Sequence, residues 1–190
     1  MNVNTESHDE VGFTFIHIRS RPTRFRGYHR RMSETERIRD LLYYTYKGPC
    51  WHGPALAQNL EGVTAEQAAQ RPIGQGHSIW ELVQHVTAWI NEVIRTLDGE
   101  TYAVLPTEQD WPAISAADDA AWQSALAILE SSMDALYDAV LELPDEKLDE
   151  LVPGQDFSYF WMLNGVVHHN TYHSGQVGIL RKAFAEAQAA

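Results

Sequence analysis

The stretch GVVHHNTYHSGQ, Gly165 to Gln176, carries His168, His169, His173 and Gln176 in a segment that otherwise reads as a buried helix. Met162, Val166, His169, His173, Gln176 and Leu180 follow steps of four, three, four, three and four, which places them on one helical face. His169 and His173 are one turn apart, with Cβ atoms about 5–6 Å from each other. Both rings can therefore turn a nitrogen toward one metal ion at roughly 2.0–2.1 Å. His168 points about 100° away from that face. Gly165, Gly175 and Gly178 lie in the same helix. Each costs about 1 kcal/mol relative to alanine when exposed, a cost that makes sense if another helix or a ligand comes close at those turns.

Two imidazoles leave a site incomplete, and helix bundles assemble ion sites from facing helices. The best third donor lies in HSIWELVQHVTAW, His77 to Trp89. His85 is mid-helix and borders the Leu82–Val86–Trp89 face, whereas His77 precedes the helix cap and reads as a loop residue. The competing reading is a set of core histidines held by ordinary hydrogen bonds. Burying one neutral imidazole without partners costs roughly 1–3 kcal/mol. Two on adjacent turns double that difficulty, and ligation relieves it by using the lone pairs. Spacing alone leaves both readings open. The motif is not H-E-x-x-H: Asn170 stands where zinc proteases carry their general-base glutamate, which argues against that peptidase chemistry.

The elements that must position these rings are helices. Ser33 and Glu36 form a capping box that starts a helix running to about Lys47, where Gly48-Pro49 and Gly53-Pro54 interrupt the pattern. Helical pattern resumes over residues 55–60, and Thr64 with Gln67 caps a short helix before Pro72. Ser78 and Glu81 cap the helix bearing His85, so Glu81 serves a helix end rather than chemistry. Ile79, Leu82, Val86, Val93 and Leu97 form its apolar stripe, and Gly99 stops it. Pro106 and Pro112 mark a loop. A long helix is expected from Ser115, with Trp122, Leu126, Leu129, Met133, Leu136, Val140 and Leu143 as its core stripe and Pro144 as its end. The last helix spans about residues 158–187. No alternating segment supports a strand. The expected fold is all-α, a four-helix bundle with a short extra helix.

Composition narrows the setting. The 190 residues suit one domain with an ordinary core, and no run approaches the roughly 18 apolar residues of a membrane span. Cys50 is the only cysteine, so an internal disulfide is impossible and a cytoplasmic location is the natural reading. Residues 1–31 carry a charge of +3 and residues 32–190 a charge of −15. The main body is thus unsuited to nucleic acid, whose phosphates need a basic face. Residues 1–31 read as an irregular N-terminal extension, and residues 32–190 as the bundle domain.

HSIWELVQHVTAW, LNGVVHHNTYHSGQVGILRK and WHGPALAQNLEGVTAEQAAQRP together resemble the DinB/YfiT-like superfamily of four-helix-bundle proteins, over residues 32–184. The resemblance implies a divalent metal, zinc or nickel, held by His85, His169 and His173. It implies a homodimer, and activities that include transfer involving low-molecular-weight thiols or hydrolysis of a small-molecule substrate. The alternative is a non-catalytic, stress-related metal-binding dimer. His52, near a helix break, is a candidate for a proton-transfer role. Gln176, one turn below His173, is a candidate for orienting a ligand. Trp80, Trp89 and Trp161 are candidates for lining a pocket, although aromatic residues in bundles more often form core.

Overall fold

Ser33 begins the first helix as the capping-box spacing predicts: its hydroxyl accepts from the Glu36 N–H while the Glu36 carboxylate accepts from the Ser33 N–H. A computed structural model of the chain describes residues 31–114 and 116–189, and the expected N-terminal extension lies outside them apart from Arg31. The helices are α1 (Glu34–Lys47), α2 (Leu56–Leu60), α3 (Ala65–Ala69), α4 (Ile79–Leu97), α5 (Thr107–Asp110), α6 (Asp119–Glu142) and α7 (Tyr159–Ala189), with a 3₁₀ turn at Asp145–Asp149. No strand occurs among the described residues, and none of their helices is long and apolar enough to cross a membrane.

The four long helices form the bundle. α6 packs on α1 and α4, and α7 packs on the same two, which sets α1 and α4 on opposite corners. Apolar periodicity explains the arrangement. Leu129, Met133, Leu136 and Val140 of α6 are fully buried, and Ile79, Leu82, Val86 and Val93 of α4 meet them in one core. Trp80 and Trp122 are packed ring against ring at 5.1 Å, and Trp122 Nε1 donates to the Val63 carbonyl at 2.8 Å, tying α3's approach to the bundle. Trp80 is therefore core rather than pocket lining.

Two boundaries differ from the sequence reading. α6 begins at Asp119 behind an Asp118 cap that accepts from the Ala121 N–H; Ser115, the expected start, lies outside the described residues. Asp118 is as good a cap as serine, and periodicity alone does not choose between them. The segment between Pro106 and Pro112, read as loop, holds the single turn α5. Of the three α7 glycines, only Gly178 has a neighbour close by: a Cβ there would meet the Asn59 side chain of α2 at 3.6 Å, whereas Gly165 and Gly175 face open space.

Candidate metal centre

α4 delivers His85, and α7 delivers His169 and His173 one turn apart; the packing of these two helices brings the three rings together. His169 Nε2 lies 3.0 Å from His85 Nε2 and 3.1 Å from His173 Nε2. One ring nitrogen from each residue lies within 4.8 Å of the others. His168 is exposed and takes no part.

Each outer ring nitrogen determines what the inner one can do. His85 Nδ1 donates to the Asp110 backbone carbonyl at 3.0 Å and stands 2.8 Å from the Asp110 carboxylate. His173 Nδ1 donates to the Gln176 amide oxygen at 2.6 Å. Neither oxygen has a proton to give, so both Nδ1 atoms carry the hydrogen and both Nε2 atoms present lone pairs. Those lone pairs converge on His169 Nε2, which can offer one proton to at most one of them. Both separations from His169 suit cation ligands: two nitrogens roughly 2.05 Å from one ion are about 2.9–3.4 Å apart for ligand angles between octahedral and tetrahedral. The residues therefore fit a divalent cation, and Asp110 and Gln176 are the partners that orient its ligands.

Trp111 completes the mount. Its indole stacks on His85 at 4.0 Å with rings 7° from parallel, and His77 stacks on its other face at 3.5 Å. Trp89 Nε1 donates to the Asp110 carboxylate at 2.6 Å. Neither Asp110 nor Trp111 is singled out by the sequence. The only available signal was an acid and an aromatic pinned between two prolines. His52 is exposed and lines a separate depression with Asn59, Ser174 and Arg181, so it is not brought to the three rings.

Beside His169 is a cavity of about 230 Å³, walled by Trp89, Tyr102, Phe157 and Trp161 and floored by aliphatic side chains. The family model for the DinB superfamily matches residues 51–177. The chain belongs to the DinB superfamily. Its match spans α2 through most of α7, with all three histidines inside it and α1 before it. No curated protein and no solved structure matches this DinB chain.

Burial, then the neighbouring imidazoles, hold His169 down to about pKa 3 in this DinB site; burial likewise holds His173 down to about 4. Both rings are therefore neutral at pH 7, with lone pairs free for a cation. Protons bind the unfolded histidines near pH 6.5 but bind the folded ones only near 3 to 4. Stability of the metal-free protein is thus full above pH 6.5 and falls as the pH drops from 6.5 toward 4, because the unfolded chain then binds more protons. Urea midpoints measured against pH should show this loss in the wild type and a shallower one in His169→Asn. Equal slopes would show that His169 is not held neutral by the fold.

Proposed function

We propose that this DinB protein is a metal-dependent enzyme that holds zinc or nickel on His85, His169 and His173 and transfers a low-molecular-weight thiol to or from a small-molecule substrate. The reading is carried by one observation: ring nitrogens from two helices, with tautomers set by Asp110 and Gln176, direct lone pairs to one point beside an apolar cavity. A divalent cation held there would supply Lewis acidity, lowering the pKa of a thiol or water beside it.

The chain's own residues do the rest. His85, His169 and His173 are neutral ligands and would leave the ion's positive charge uncompensated. Trp89, Tyr102, Phe157 and Trp161 give one side of the cluster an aromatic wall. Hydrolysis at the same centre is the second use of such a site, but it needs a proton acceptor, and the titratable side chains lining the cavity are His169 and Tyr102. Thiol transfer demands less of the chain: a bound cation would lower the thiol's pKa so that its proton leaves to solvent before the attack, and the thiolate is itself the nucleophile. The single Cys50 fits a reducing cytoplasm. Exposed Trp161, Tyr172 and Ile179 on α7 fit a homodimer face.

The test is metal analysis of untagged protein followed by a screen for thiol conjugation and ester hydrolysis. One ion per chain is expected, with conjugation lost to background in His85→Ala. Turnover that survives that substitution would exclude metal catalysis. A bound ion without turnover in either screen would leave the non-catalytic metal-binding reading in its place.

A further inference from the structure

The cavity beside His169 draws its aromatic wall from four elements. Trp89 comes from α4, Tyr102 from the segment after it, Phe157 from the segment before α7 and Trp161 from α7. The rings run in a chain: Trp89 to Tyr102 at 6.3 Å, Tyr102 to Phe157 at 5.5 Å edge to face, and Phe157 to Trp161 at 4.9 Å. The Tyr102 segment is fixed from beneath. Buried Glu92 accepts the Ala103 N–H at 2.7 Å and pairs with Arg95 at 2.8 Å. The Tyr102 part of the wall is thus anchored to α4.

Gly165 gives the second line of argument. A Cβ there would meet no atom within 4 Å, and its φ is not among the positive ones, so neither a close neighbour nor the backbone demands glycine. Gly165 lines the cavity, and a larger residue would project into it.

Resting on the reading that the three histidines hold a metal, we propose that this cavity seats an apolar ring of the substrate or thiol carrier, with that molecule's reactive polar end at the histidine cluster. An apolar cavity of about 150 Å³ accepts a benzene, so 230 Å³ accommodates one ring with a short linker. Four aromatic rings alone would also suit a quaternary ammonium. The aliphatic floor of Ile90, Val93 and Val166, and a lining without a carboxylate, favour a neutral group.

Two thiols that differ only in the ring test this on the zinc-loaded full chain: 2-phenylethanethiol and ethanethiol, by calorimetry. The ring should tighten binding about tenfold or more. Gly165→Leu should erase that gain while zinc content stays at the wild-type level. Gly165→Ala, which fills less space, should keep most of it, and both variants should melt no lower than the wild type if they fold normally. A ring gain below about threefold, or a full gain in a folded Gly165→Leu, overturns the proposal. Tighter binding of thiocholine than of 2-phenylethanethiol also overturns it, in favour of a cation cage. 2-Phenylethanol, titrated calorimetrically into the metal-free chain, distinguishes failure of the cavity assignment from failure of the metal reading. If zinc does not bind but 2-phenylethanol binds the wild type and not Gly165→Leu, the cavity assignment stands and the metal reading falls. If zinc binds and the ring adds nothing, the cavity assignment alone falls.

Discussion

His169→Ala should weaken zinc binding by about two orders of magnitude and remove most of the metal-dependent stability. His169 Nε2 is the shared neighbour, 3.0 Å from His85 and 3.1 Å from His173, so its loss leaves two donors on different helices with no third. Four-ligand zinc sites bind with about 10–16 kcal/mol, or roughly 3 kcal/mol per ligand, so affinity should fall by about two orders of magnitude. In the wild type, free zinc at about 100 times the dissociation constant stabilises by roughly 2.7 kcal/mol. For a chain of this size that is about 5–10 °C in Tm. Calorimetric melts should show such a rise with zinc and its reversal with a chelator, and only about a sixth of either in His169→Ala, where the same zinc half-fills the site. The metal-free proteins should differ far less, because the ring removed is one whose lone pair faces two others. A zinc response of the same size in both proteins would place the ion elsewhere.

His169 and His173 were legible as a pair because they repeat with the helix. His169 and His173 share a face with Met162, Val166 and Leu180, and all but His169, which is partly exposed, are buried as that spacing demands. The capping boxes at Ser33, Thr64 and Ser78 were readable for a similar reason: two residue types at a fixed separation carry the whole signal. What holds the His85 ring was not readable. Asp110 and Trp111 reach His85 across 25 and 26 positions from a segment without periodicity, and contacts of that kind depend on where the chain returns. Tyr102 and Phe157 join the cavity wall by the same route. Gln176 could be foreseen because it is one turn from His173, whereas the position of His52 was suggested only by a helix break and led to a separate depression. A Cβ at Gly178 would make only ordinary contact with Asn59, and one at Gly165 or Gly175 would meet nothing within 4 Å, so close helix approach accounts for none of the three.

Asp110 is the residue outside the ligand set whose change should matter most. Its carboxylate stands 2.8 Å from His85 Nδ1 and accepts from Trp89 Nε1 at 2.6 Å, while its own backbone carbonyl accepts from the same His85 nitrogen at 3.0 Å. Substitution leaves that backbone carbonyl in place, so the His85 tautomer survives in either variant. What the carboxylate adds is charge behind the ring, which makes Nε2 a better donor to a cation, and an anchor for the Trp89 side of the cavity. The two contributions separate by choice of substituent. Asp110→Asn keeps an oxygen for Trp89 and removes the charge; metal affinity should fall about tenfold with little change in the metal-free melt. Asp110→Ala also leaves the indole N–H without its acceptor; affinity should fall about 10–100-fold and metal-free stability by about 1 kcal/mol. Competition titrations with a chromophoric chelator, paired with melts of the metal-free variants, measure both. Wild-type affinity in Asp110→Asn together with weakened binding in Asp110→Ala would mean that the carboxylate acts through Trp89 alone and that its charge does not reach the ion.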